Sequence, residues 1–224
     1  MKGPVLLFVH GGNWNTGNKN TYGFYGRNFA KRDVIVVVPD YTLSPDANLD
    51  QMAAEVAQAI FWTHNNIASY GGNPEKLFVT GHSAGAQLGA LAVMNPKYEV
   101  PPKMISGLIL IDGAGMDLEV FLKKSPPTKR HDYLATFSND PEVWKAGSPA
   151  NFVSKETPPV LLYIGKKTYP VLKESSEAFV ERLRKVQPDV KVIYQNKSHI
   201  PMMLQYVNPG NESFGQTIEF INSH

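Results

Sequence analysis

The chain has 224 residues, no cysteine, a formal net charge of +2, 42% hydrophobic and 19% charged residues. That length can bury a sizeable core in one domain, and the small net charge points to neither nucleic acid nor a membrane surface as partner. Without cysteine there can be no disulfide, thiolate metal site or cysteine nucleophile.

In chain order, the first apolar run is "PVLLFVH", residues 4–10. It is too short for a signal-peptide core and ends in His-Gly-Gly without a small-residue cleavage site. A cytoplasmic protein is therefore the default expectation. A secreted or periplasmic chain relieved of its leader would read the same way. Five further runs follow: "VIVVVPD", "KLFVTG", "SGLILIDG", "PPVLLYIG" and "VKVIYQN". Most are continuously apolar, as expected of parallel strands covered on both faces. Between them Leu49, Met52, Val56, Ala59, Ile60 and Thr63 recur at helical spacing. Ala84 to Met94 reads as a buried helix, and Leu172, Phe179 and Leu183 mark another, stopped by Pro188. Alternating strands and helices predict one α/β domain over residues 1–224. The rhythm breaks at about 116–157, where a long proline-bearing stretch predicts a lid-like or pocket-wall insertion. Its basic run, Lys123, Lys124, Lys129 and Arg130, reads as a solvated face.

Two stretches carry chemistry. In "VTGHSAGA", Gly81 and Gly85 bracket Ser83 between a predicted strand and a predicted helix. A serine on so sharp a turn needs small neighbours, and the turn presents its hydroxyl beside the free N–H groups of the helix start. Ser83 then reads as a nucleophile or, more simply, as a helix cap. In "HGGNW", a glycine-rich loop ends the first strand. The N–H groups of Gly12 and Asn13, with that of Ala84 opposite, could face a developing oxyanion; an ordinary Gly-Gly turn is the plainer alternative.

Together these stretches resemble an α/β-hydrolase of the hormone-sensitive-lipase and carboxylesterase-like group, near its small feruloyl-esterase-like and arylformamidase-like members. The likeness extends through "PDYTLSPD", "ASYGGNPEKLFVTGHSAGAQLGAL", "AGSPANFV" and "NKSHIPM". The resemblance implies a three-layer α/β/α sandwich on a mostly parallel sheet. The family's usual strands ahead of the oxyanion-loop strand are missing, so about six strands are expected rather than eight. A homodimer would cover the exposed edge. The resemblance makes Ser83 the nucleophile and His199 the general base, since His199 alone among six histidines follows the last predicted strand in a loop. His10 then belongs to the oxyanion loop, and His64 to a solvent-facing helix surface. Trp14 and Tyr41 either line the acyl pocket or pack in the core.

The chain departs from the family at the acid. Thr168, in "LLYIGKKTYPVL", stands where the family has aspartate. Asp112, at the end of "LILID", could supply the carboxylate instead. Otherwise Ser83 and His199 work as a dyad, or catalysis is lost and the fold binds a small ligand. Glu174 is a weaker candidate, on a helix. Thr42 replaces the family's arginine after "PDY" and is expected to loosen the packing there. The expected activity is hydrolysis of a small carboxylic ester or activated amide through an acyl-enzyme, on a small-molecule substrate, with no metal or organic cofactor implied. A nicotinamide-binding protein is disfavoured, since no Gly-x-Gly-x-x-Gly opens a helix.

Overall fold

The computed structural model describes residues 2–224. The chain runs β1 (Gly3–Val9), α1 (Gly23–Ala30), β2 (Ile35–Val37), α2 (Leu49–Asn66), β3 (Gly72–His82), α3 (Ala84–Met94) and β4 (Gly107–Ile111). It continues through α4 (Leu118–Lys124), α5 (Tyr133–Phe137), α6 (Pro141–Ala146), β5 (Val160–Gly165), α7 (Pro170–Leu183), β6 (Lys191–Gln195), α8 (His199–Leu204) and α9 (Glu212–Ser223). Each of the six apolar runs forms a strand. They pair in parallel in the order β2-β1-β3-β4-β5-β6.

The sheet is covered on both sides, and its side chains alternate between two cores. Val5, Leu7 and Val9 of β1 face a core shared with α2, α3 and α7. Leu6 and Phe8 face a second core containing Tyr25, Phe29, Met202, Phe214 and Phe220 from α1, α8 and α9. The central strands β4 and β5 are buried throughout, whereas the edge strands β2 and β6 are partly exposed. The strand order turns about β1: the chain moves out to β2, then returns to place β3 on the other side. In open parallel sheets, the crevice beyond the strand ends at such a reversal is where ligands bind. The loop after β1 and the turn after β3 both follow strands at that reversal.

The 116–157 segment is more firmly built in than a lid. Met116, Leu118, Phe121, Leu122, Phe137 and Ala150 are buried in the first core. Asp117, itself buried, caps α4 through Val120 N and pairs with Arg182 of α7 at 3.0 Å. Removing this segment would uncover part of the core. Its cationic side chains do face outward, with Lys123 paired to Glu119 and Lys124 to Glu174.

Candidate active site

The turn after β3 is strained and closely packed. Ser83 has φ 57° and ψ −124°, a conformation that non-glycine residues avoid. A Cβ on Gly81 would lie 2.5 Å from the Gly85 carbonyl carbon, and one on Gly85 would lie 2.1 Å from the Val9 carbonyl oxygen. Only glycine fits at either place. Ser83 N donates to the Ile111 carbonyl at 3.1 Å, which ties the turn to the end of β4. Ser83 makes no side-chain cap to α3. Its hydroxyl is engaged elsewhere.

That engagement is with His199. Its Nε2 lies 2.8 Å from Ser83 Oγ, and its Nδ1 lies 2.6 Å from Asp112 Oδ2. A carboxylate only accepts, so Nδ1 carries the proton and Nε2 is free to accept the serine hydroxyl. Asp112 is 2% exposed and sits one residue beyond β4 at φ 45°. Gly165 N donates to its Oδ1 at 2.8 Å and Thr168 Oγ1 to its Oδ2 at 2.6 Å. Burial opposes the charge, yet these donors and His199 together hold the carboxyl below the ordinary carboxylate range. Thr168 Oγ1 is 3.5 Å from His199 Nδ1, at the limit of a hydrogen bond. The threonine at the family's acid position therefore supports a carboxylate that arrives from the neighbouring strand.

The loop after β1 runs against this turn. A Cβ on Gly11 would lie 2.7 Å from the His82 carbonyl oxygen and 3.2 Å from Ser83 Cβ. Gly12, Asn13 and Trp14 all have positive φ, and Asn15 N and Thr16 N donate to the Gly12 carbonyl. Ala84 opens α3, so its N–H has no partner within the helix. His10 is buried, stacks on Tyr41 at 4.4 Å, and lies 3.8 Å from Asp40. The Tyr41 hydroxyl donates to the His10 carbonyl. Trp14 is fully buried, with its indole N–H donating to Gln87 Oε1 at 3.0 Å. Trp14 and Tyr41 are thus packing residues beneath the loop.

Other expectations need correction. Thr42 leaves nothing loose: its N–H and hydroxyl bind the two oxygens of Glu55 at 2.6 and 2.8 Å. His64 is half-buried, with Nδ1 inaccessible, rather than solvent-facing. Glu174 lies on α7, paired with Lys124 and outside the Ser83–His199 hydrogen-bond chain.

Sequence reasoning passed over His82. It is buried, its ring lies 4.6 Å from that of His199, and its Nε2 donates to the His199 carbonyl at 3.1 Å. Burial, and then the neighbouring His199, push its pKa down to about 3, so the ring is neutral. A histidine directly before a motif serine is the signal that was available. Gln87 and Tyr133, which brace the loop after β1, carry no local signal.

Among the described residues no cluster of three or more histidines or carboxylates could hold a metal ion. No helix among them is long and apolar enough to cross a membrane.

A strained serine at a strand-to-helix turn, a histidine and a buried carboxylate, gathered at the C-terminal strand ends of a parallel sheet, define an α/β-hydrolase of the hormone-sensitive-lipase and carboxylesterase type. Within that class the chain belongs to the BD-FAE family, whose profile matches residues 1–183. It is 28% identical to an isoprenylcysteine alpha-carbonyl methylesterase of Arabidopsis thaliana, over 90% of this chain and 51% of the relative. It is 31% identical to esterase LipQ of Mycobacterium tuberculosis, over 82% of this chain and 46% of that one. The chain thus spans about half the length of these curated relatives. Among solved structures, an esterase of Pyrobaculum calidifontis superposes with TM-score 0.79 at 20% identity, covering 99% of this chain and 77% of that one, which shows the shared fold.

Proposed function

We propose that this protein is a carboxylic ester hydrolase working through an acyl-enzyme on Ser83. The observation that carries the reading is the unbroken chain from Ser83 Oγ through both nitrogens of His199 to Asp112, at 2.8 and 2.6 Å. Esterases among the relatives and solved structures support the reaction class.

In this reading His199 Nε2 takes the hydroxyl proton as Ser83 Oγ attacks the acyl carbonyl. Asp112 keeps the ring in the tautomer required and stabilises the imidazolium that forms, without itself being protonated. The N–H groups of Gly12, Asn13 and Ala84 face the oxyanion of the tetrahedral intermediate. His199 then gives its proton to the departing alcohol. Water, activated by the same nitrogen, releases the acyl group. Burial of Asp112 keeps bulk water from competing for its hydrogen bonds. The substrate class is a small carboxylic ester or an activated amide such as an N-formyl aryl amine. The alternative of a binding protein without catalysis rested on Thr168; the place of Asp112 beside His199 supports the catalytic reading instead.

The test is turnover of a panel of short aryl esters, acetylated sugars, feruloyl esters and N-formylkynurenine, with fluorophosphonate labelling followed by peptide mapping. Ser83 is expected to carry the label. Ser83→Ala is expected to lower kcat by about 10⁶, as removal of a triad serine does elsewhere. A folded Ser83→Ala protein that keeps a sizeable share of wild-type turnover would overturn the reading.

A further inference from the structure

The segment between β4 and β5 grips the loop after β1 at three successive residues. The Tyr133 hydroxyl donates to Asn13 Oδ1 at 2.6 Å. Asn15 Nδ2 donates to Asp132 Oδ2 at 3.3 Å. Between them the Trp14 indole meets the rings of Tyr133 at 6.0 Å and Phe137 at 4.9 Å, both edge to face. Behind the indole, Gln87 links the two elements, accepting from Trp14 Nε1 and donating to the Gly147 carbonyl at 2.7 Å.

The loop needs such bracing. Asn13 at φ 56° and Trp14 at φ 61° occupy the left-handed region. Each such residue costs on the order of 1–3 kcal/mol and persists only where its surroundings over-determine it. Here much of that constraint comes from residues 132–147. Asp132 is itself left-handed, at φ 55°, and is held by its own contacts to Asn15 and Ser44.

We infer that Tyr133 is a positioning residue for the oxyanion loop: by holding the Asn13 side chain, its hydroxyl keeps the Asn13 N–H turned toward the oxyanion that forms at Ser83. The inference rests on the reading of Ser83 and this loop given above, and gives the 116–157 segment a part in turnover. Burial raises the Tyr133 pKa to about 12, so the hydroxyl remains a donor through the neutral range.

Tyr133→Phe removes the hydroxyl and keeps the ring against Trp14. The expected result is a fall in kcat of about ten- to a hundredfold, less than the 10²–10³ that outright loss of an oxyanion donor costs, with KM nearly unchanged. A trifluoromethyl ketone, which forms a tetrahedral adduct on a serine, is expected to lose affinity in step with kcat/KM. The product carboxylic acid, which forms no adduct, is expected to bind as before. Asn13→Gly tolerates the left-handed backbone and removes the acceptor. Paired with Tyr133→Phe, it is expected to cost no more than the worse single change, because both delete one contact. Wild-type kcat in Tyr133→Phe, or additive losses in the pair, would overturn the inference. Should Tyr133→Phe lower the melting temperature, a stably folded Asn13→Gly decides, and unchanged kcat there overturns it. An active Ser83→Ala would instead sink the esterase reading itself, so the two failures are told apart.

Discussion

The two sides of Ser83 are held by different parts of the molecule. On the histidine side, each group that fixes His199 stands at or just past a strand end. Asp112 follows β4, Gly165 closes β5, Thr168 lies three residues further on, and His82 closes β3. On the oxyanion side, Asn13, Trp14 and Asn15 are braced by Asp132, Tyr133 and Phe137, with Gln87 of α3 behind them. In the proposed mechanism, proton transfer would thus depend on the sheet, and stabilisation of the oxyanion on the connection between β4 and β5. On that mechanism, a change in the connection would reach the transition state through the loop it braces. A change at the strand ends acts directly on the tautomer and charge of one imidazole.

The largest expected effect on the histidine side is at Asp112. Asp112→Asn keeps the shape but presents an amide to His199 Nδ1, which favours the wrong tautomer. Turnover is expected to fall by about 10⁴, with little change in KM, as the same exchange does in serine proteases. Steady-state kinetics on the folded variant checks this. A near-wild-type Asp112→Asn enzyme would remove the carboxylate from the mechanism and leave Ser83 and His199 as a dyad.

His82 sharpens the comparison through stability. Its pKa is near 3 in the folded protein against an ordinary 6.5, so between those values the unfolded chain binds the extra proton. The stabilisation is then complete above about pH 6.5 and is lost progressively as pH falls toward 3. Burial of His10 acts with the same sign. Asp112, whose pKa is lowered, works in a different window, losing its contribution only as pH falls below its ordinary 3.8. His82→Phe removes the titrating ring and leaves the His199 carbonyl without its donor, at a cost of about 1–3 kcal/mol at neutral pH. It is also expected to lose less stability than wild type between about pH 7 and about pH 5, by urea unfolding. Equal losses in the two proteins would show that His82 is not the neutral group of this site.

The fold was legible because its strands are fully covered and therefore continuously apolar, and each of the six runs is a strand. Ser83 and the loop after β1 were legible because strained turns need glycine at fixed spacing. Asp112 could be put ahead of a dyad from its place after an apolar run, but the way Thr168 supports it could not be read. That support depends on how β4 and β5 stand side by side, and pairing register is not written in either segment. The fully buried Trp14 and the contact between Asn13 and Tyr133 were beyond reach for a related reason. They join residues more than a hundred positions apart through a segment whose irregular helices carry no clear periodicity.

The smallest effect is expected at Thr168, and it tests how the histidine side is organised. Thr168→Val keeps the volume and removes one of the donors to Asp112. A hydrogen bond to a charged group is worth about 1.5–3 kcal/mol, but His199 and Gly165 remain to hold the carboxylate. The loss in kcat is therefore expected to stay within about tenfold, far short of the roughly 10⁴ at Asp112. The more telling variant is Thr168→Asp, which restores the family's residue. The Thr168 hydroxyl lies 2.6 Å from Asp112 Oδ2, so a carboxylate there would crowd a second negative charge against the first. Like charges that share a site raise one of the two pKa values strongly, and the pair would hold a proton between them. The imidazolium would then face little more charge than before, in a distorted setting. Thr168→Asp is expected to be slower than wild type, and its kcat to rise with pH over a range where the parent is flat. A Thr168→Asp enzyme faster than wild type would show that the family position governs the ring, and that Asp112 merely fills the space beside it.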